Sequence, residues 1–276
     1  IDFLAITDHD VVVRDSLVRW KKYGIQSCES VEISTINTQH DKSLHMTLYA
    51  KSVSRDIDIV LNNTLVSKAL LIQKQIEYLN QKWFSIDLEK FYAFACVWWR
   101  KKSALNKFDI ARFIFSDSKQ LLVVKQIEWD IDIITFYNRY FKTSGDKFGE
   151  FWIKIPDYEP AIEECKIFKE KSKGILSLPH SNFTFKGGIE EFEQQLPHYI
   201  ETGWINALEI NCKATQEWVD TIIKAKNKYG LYLTFWSDCH KTGNSDEKHG
   251  ELWEKNPNLS WGFIAKSFSE YKHLLI

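Results

Sequence analysis

Short apolar runs at Ile175–Leu178, Ala207–Asn211 and 231–235 are separated by amphipathic stretches of helical length, 189–202 and 215–229, with another at 160–171 ahead of the first. Segments of four or five mostly apolar residues suit strands buried on both faces, and repeated strand-then-helix units favour a parallel sheet or barrel. The first fifty residues continue the theme: a strand over 2–7, a helix over 14–23 ending at Gly24, then strands over 31–34 and 44–50. A last strand is expected over 261–265. Between these parts, 54–141 reads as long polar helices with aromatic faces, over 57–81, 86–95, 108–115 and 130–141. The expected organisation is an α/β body of residues 1–53 and 142–276 carrying a helical insertion at 54–141.

With 276 residues, 44% hydrophobic and 26% charged, the chain has enough apolar surface for one large core. A net charge of -1 and a pI near 6.8 exclude a global basic field of the nucleic-acid-binding kind, while a locally positive site for small anions stays open. The five cysteines are odd in number, widely spread and without a Cys-x-x-Cys pair, which argues against a disulfide framework or zinc knuckle and points to a reducing cytoplasm. No apolar run reaches the roughly 18 residues of a membrane helix, and no signal peptide is visible. The chain begins with Ile1 rather than Met and opens inside an expected strand, so it reads as lacking an N-terminal piece.

Polar residues at the strand ends carry the chemistry. Asp8-His9-Asp10 follows the run Phe3-Leu4-Ala5-Ile6, and Ser237-Asp238-Cys239-His240 follows the run at 231–235, the position where α/β barrels place their active sites. Of eight histidines, His9, His45, His180 and His240 fall at or beside strands, whereas His40, His198, His249 and His273 lie in polar loops or helices and read as solvated. Any one strand-end histidine alone is more often a hydrogen-bonded rim residue; grouping changes that. Glu32, inside Val31-Glu32-Ile33-Ser34, is either a buried acid that needs a cation or hydrogen-bond network, or an edge-strand acid facing water. Imidazole and carboxylate together are ligands for zinc, manganese or iron, and a cluster of them suits a multinuclear hydrolytic site.

The order of these pieces resembles the PHP superfamily, named for polymerase and histidinol phosphatase domains. The resemblance rests on Ala5-Ile6-Thr7-Asp8-His9-Asp10, on Val31-Glu32-Ile33-Ser34-Thr35 followed by His45, on Leu178-Pro179-His180, on Glu209-Ile210-Asn211 and on Ser237-Asp238-Cys239-His240. It implies a distorted (β/α)7 barrel with up to three metals at its C-terminal mouth. Glu32 would bridge two metals, His45 and His180 would complete the second, Asp238 would help hold the first, and His9 with His240 would hold the third. Asp8 would orient its neighbours; Asp8, His9, Glu32 and His240 are the expected catalytic set. The family's opening His-x-His is absent, so the first metal keeps only Glu32 and Asp238, and the chain as it stands is expected to be weak or inactive. Ser181 replaces the Pro that usually follows the family's equivalent of His180, which implies a different local turn.

Within the helical block, Asn106-Lys107-Phe108-Asp109-Ile110-Ala111-Arg112 is similar to the Gly-Arg-Pro-His-Ile-Ala-Arg stretch of the nucleotide-phosphatase branch, which casts Lys107 and Arg112 as phosphate-binding residues. A basic helix face in water is the plainer alternative. The implied reaction is hydrolysis of a phosphomonoester at the metals, with a nucleoside bisphosphate or the 5′ end of a short RNA as substrate. Phe91, Tyr92, Phe94, Trp98 and Trp99 are available to stack on a base, although helix packing explains most of them. A polymerase-associated PHP nuclease domain and a non-catalytic metal-binding remnant are the alternatives. No membrane contact is expected, and the residues name no protein partner.

Trp and Gly each number 11, whereas Gly averages about 7% of residues and Trp is normally far scarcer. Trp83 stands at a helix end suited to a left-handed residue, Trp204 in a turn before a strand, and Trp236 directly before Ser237-Asp238, where PHP proteins usually have Gly. The hypothesis is that some of these are UGA codons from a lineage that reads UGA as glycine, in which case the indoles should bring strain near the site. Reading the gene tests it: UGA is expected among the codons for Trp83, Trp204 and Trp236, and UGG at all three refutes it.

Overall fold

The computed structural model describes residues 2–39, 42–97, 101–144, 147–151, 153, 158–201, 204–237, 239, 250–251 and 254–276. They divide into two compact units, residues 1–61 with 159–276, and residues 62–158.

The first unit is built on a five-stranded sheet in the order β1 (Glu29–Asn37), β2 (Lys42–Ala50), β5 (Ile175–Leu178), β6 (Ala207–Asn211), β7 (Tyr232–Trp236). Strands β5, β6 and β7 run parallel, with helix α7 (Ile162–Ser172) leading into β5 and helices α8 (Ser181–Thr184), α9 (Gly188–Glu201) and α10 (Gln216–Tyr229) in the connections. The expectation of a parallel barrel fails at β1 and β2, which pair antiparallel over nine positions, and β2 is antiparallel to β5 as well. The reason is the connection: residues 38–41 are too few for the crossover that parallel neighbours need, so the chain can only fold back on itself. Among the described residues the sheet is mixed and is not closed.

Two further expectations are corrected. Residues 2–7 form no ladder strand; they are tied to the segment beside them by an isolated bridge, Phe3 to Gln26. Hydroxyl side chains take the carbonyls that a ladder would use, Ser27 Oγ donating to Leu4 O at 2.6 Å and Ser30 Oγ to Ile6 O at 2.8 Å. The expected strand over 261–265 is instead helix α11 (Trp261–Ser269), because Ser260 caps it by accepting from Phe263 N–H. Short apolar runs are ambiguous by periodicity, and the cap decides.

Burial explains why the strands sit where they do. Ile33, Met46, Leu48, Leu176, Leu178, Leu208 and Leu233 form a continuous apolar layer against Phe168, Phe192, Leu196, Tyr199, Val219 and Ile222 of the helices. Tyr199 keeps its buried hydroxyl satisfied by accepting from Asn37 Nδ2 at 2.9 Å. Helix α1 (Ser16–Lys21) leads into β1. Among the described residues no cysteine is in a disulfide, and burial pushes the Cys28 thiol up to about 12, which makes it a packing residue rather than a nucleophile.

The second unit holds most of α2 (Asp56–Lys82), then α3 (Leu88–Ala95), α4 (Lys107–Ser116), α5 (Ser118–Ile127), α6 (Ile133–Tyr140) and a short pairing of β3 (Thr143–Ser144) with β4 (Lys147–Phe148). Helix α5, unforeseen in the sequence, starts at Asp117, whose carboxylate accepts from Lys119 and Gln120 N–H. Its core is aromatic: Phe91, Phe113, Phe136, Phe141 and Phe151 are buried with Ile110 and Ile114. Among the described residues no helix is long and apolar enough to cross a membrane.

None of the three indoles stands on a left-handed backbone. Neither Trp83, Trp204 nor Trp236 has positive φ; the described non-glycine residues that do are Asp10, Lys173 and His180. Trp83 N–H still bonds Leu79 O, so α2 ends without a left-handed residue there. Trp204 is buried, edge-on to His198 at 4.6 Å.

Helices α7 and α10 end in the same left-handed way, at Lys173 (φ 52°) and Gly230 (φ 67°). Relief of an L-residue from this region, about 1–2 kcal/mol, exceeds the extra chain entropy of a new glycine, about 0.5–1 kcal/mol. Lys173→Gly is therefore expected to stabilise by about 0.5 kcal/mol and raise Tm by about 1–2 °C, measured by calorimetry.

Candidate metal centre

Alternation along β1 places Glu32 and Ser34 on one face, and the register pairs Ser34 with His45 and Glu32 with Thr47 on β2. His45 is thereby the diagonal neighbour of Glu32 on the same face. His9 arrives from the preceding loop, where it bridges Glu32 in parallel fashion: Glu32 N–H donates to Asp8 O at 3.1 Å and Asp10 N–H to Glu32 O at 2.8 Å. His180 lies just beyond β5 in a left-handed conformation (φ 31°, ψ 50°), an arrangement that costs a non-glycine residue about 1 kcal/mol or more.

These elements converge on one carboxylate. His45 Nδ1 lies 2.8 Å and His180 Nε2 3.2 Å from Glu32 Oε1, while His9 Nε2 is 3.7 Å from Oε2. His45 Nδ1 and His180 Nε2 are 3.4 Å apart. The His180 ring is further held by Nδ1 against Thr184 Oγ1 at 3.1 Å and by stacking on Trp236, centroids 5.6 Å apart. Glu32 is 2% exposed. Burial pushes its carboxyl upward, but hydrogen bonds with His180 and His45 and the charges of His9 and His45 overcome this and hold it far below the usual carboxylate range.

The donor set fits a divalent cation. Ligand atoms of His9, Glu32 and His45 all lie within 4.8 Å of one another. Metal–ligand bonds of about 2.0–2.1 Å give ligand-to-ligand edges of about 2.9–3.4 Å in octahedral or tetrahedral geometry, and the separations within the Glu32, His45 and His180 group are 2.8, 3.2 and 3.4 Å. Nitrogen and oxygen donors without sulfur suit zinc, manganese or iron.

Of the residues singled out in the sequence, His9, Glu32, His45 and His180 come together here. Asp8 is exposed and contributes its backbone carbonyl. Asp238 and His240 lie outside the described residues. Lys107 and Arg112 belong to the second unit, Lys107 as the first residue of α4 and Arg112 3.6 Å from Asp109 and over the Phe94 ring. Phe91 and Tyr92 are core residues there, and Trp98 and Trp99 lie outside the described residues.

Sequence reasoning gave no role to two buried acids beside the cluster. Asp10 accepts from Ser34 N–H at 2.8 Å and Ser34 Oγ–H at 3.0 Å, and Glu209 Oε1 accepts from His180 N–H at 2.8 Å. Both occur in the motifs quoted above; only their burial distinguishes them. The cluster forms a wall shared by two clefts. One, of about 940 Å³, is lined by Asp8, His9, Glu32 and Trp236; the other, of about 550 Å³, by His45, His180, Phe183 and Lys186.

No family model matches the chain, and no curated protein matches it. Among solved structures it is similar to a candidate metal-dependent phosphoesterase from Bifidobacterium adolescentis, with a TM-score of 0.64 and 17% identity over 98% of this chain and 86% of that one. It is also similar to an amidohydrolase from Chromobacterium violaceum carrying sulfate and no metal, with a TM-score of 0.64 and 14% identity over 91% and 84% of the two chains. At these identities the likeness is one of fold.

Because the Glu32 carboxyl is depressed in the folded state, its contribution to stability is present above the ordinary carboxylate value of 4.5 and is lost as pH falls through the folded value. In EDTA, Glu32→Gln is expected to be less stable than wild type at about pH 6, with the gap closing below about pH 4. Urea unfolding at both pH values measures it; a gap that widens on acidification contradicts the assignment.

Proposed function

We propose that this chain is a metal-dependent phosphoesterase of the PHP type, hydrolysing a small phosphorylated molecule such as a nucleoside bisphosphate, or the 5′ end of a short RNA. The observation that carries the reading is the buried Glu32 carboxylate facing three histidine nitrogens beside two open clefts. The likeness of fold to a candidate metal-dependent phosphoesterase supports it. In this reading His9, Glu32, His45 and His180, with Asp238 and His240, hold up to three divalent ions in a site of the distorted-barrel kind.

When bound, the ions supply the positive charge that offsets negative charge developing on the phosphoryl oxygens. The chain's own residues do the rest. Glu32 stays ionised across the neutral range and so remains a ligand rather than an acid. His180 is fixed on one side by Thr184 and on the other by Trp236, which directs Nε2 toward Glu32. Lys107 and Arg112 bind substrate phosphate, with the helical segment 54–141 as an insertion in the hydrolase body; a phosphate would compete with Asp109, 3.6 Å from Arg112, for the guanidinium.

The test is phosphate release from a nucleoside 3′,5′-bisphosphate with Mn²⁺, with short 5′-phosphorylated RNA as the competing substrate. Release from the chain as it stands is expected to be weak, to depend on Mn²⁺, to stop with EDTA, and to fall about a hundredfold in Glu32→Gln and severalfold in Arg112→Ala. A wild-type chain that binds no Mn²⁺ by calorimetry, or release indifferent to EDTA, overturns the reading.

A further inference from the structure

We infer that Asp10 and Glu209 are positioning residues: two buried carboxylates, each clamping a left-handed turn that aims a candidate ligand histidine at Glu32. The inference rests on the metal-site reading above and adds to it two residues that reading leaves without a role.

The geometry is parallel on the two sides of the cluster. Asp10 is 1% exposed with φ 55°, and both of its oxygens are engaged by Ser34, one by the backbone N–H and one by the hydroxyl. Its own N–H bonds Glu32 O. The residue following His9 is thus fastened to β1 at Glu32 and at Ser34, so the backbone that carries His9 cannot move off β1 without breaking three hydrogen bonds. Opposite, Glu209 is 0% exposed on β6, and its Oε1 accepts the N–H of His180, whose φ is 31°. That bond crosses from β6 to the end of β5 and fixes the turn that points His180 Nε2 at Glu32 Oε1, 3.2 Å away. In each case the clamp uses a carboxylate oxygen as an acceptor for a backbone N–H, a role an amide oxygen fills equally well.

This property separates a positioning residue from a metal ligand. The variants are Asp10→Asn and Glu209→Gln, which keep the acceptor, and Asp10→Gly and Glu209→Ala, which remove it; glycine tolerates the turn at position 10. Mn²⁺ affinity by calorimetry and imidazole ¹H–¹⁵N spectra of the metal-free proteins are the two readouts. The amide variants are expected to bind within about threefold of wild type, with unchanged imidazole shifts. The truncated variants should bind about ten- to hundredfold more weakly, with the His9 shifts altered in Asp10→Gly and the His180 shifts altered in Glu209→Ala. Folded amide variants that lose as much affinity as the truncations overturn the inference, as do truncations that keep wild-type affinity and shifts. Should a truncation fail to fold, the amide variant decides alone, its wild-type affinity and shifts supporting the clamp and their loss refuting it. A wild-type chain that binds no Mn²⁺ defeats the metal reading but not the clamps, which the metal-free imidazole spectra then test by themselves.

Discussion

A carboxylate in the interior of a strand is the constraint around which this unit is arranged. Removing a carboxylate from water costs several kcal/mol unless opposite charge and hydrogen bonds replace the lost hydration. For Glu32 the replacement comes from three imidazoles delivered by three separate elements. Each delivery has its own requirement. The His9 loop must lie along β1, β2 must pair in the register that sets His45 opposite Ser34, and the chain leaving β5 must turn left-handed at His180. A slip of one residue between β1 and β2 would put His45 on the other face and remove the shortest of the three contacts, 2.8 Å.

The mixed sheet serves this arrangement. An antiparallel β1–β2 pair places Glu32 and His45 on the same face through local chain reversal, while the parallel β5–β6–β7 set brings His180, Glu209 and Trp236 to one end of the sheet. The first gives a ligand pair at low loop cost; the second gives the strand-end geometry at which α/β proteins collect polar residues. Two clefts adjoin the cluster, one at His9 and Glu32 and the other at His45 and His180.

Much of this was legible in the sequence. The limits of β5 and β6 follow from apolar runs bounded by polar residues, and α10 is marked by Thr215 at its start and Gly230 at its end. His9, Glu32, His45 and His180 were legible because each combines a metal-binding side chain with a strand or strand end. What escaped was decided by groups that periodicity does not weigh. Ser27 and Ser30 hydroxyls took the carbonyls of the first segment, Ser260 turned an apolar run into a helix, and Asp117 started a helix where no pattern announced one. Trp83 looked misplaced only while its backbone was expected to be left-handed.

The sequence by itself determined which residues are able to hold a cation and which runs must be buried, since side-chain chemistry and hydrophobic period are local properties. Tertiary structure alone decided that β2 pairs with β5 and that Asp10 and Glu209 rather than Asp8 are the buried acids beside the cluster. Burial and hydrogen-bond partnership depend on segments more than twenty residues apart in the chain, such as Asp10 with Ser34 and His180 with Glu209. Their pairing is fixed only when the whole layer of strands and helices packs.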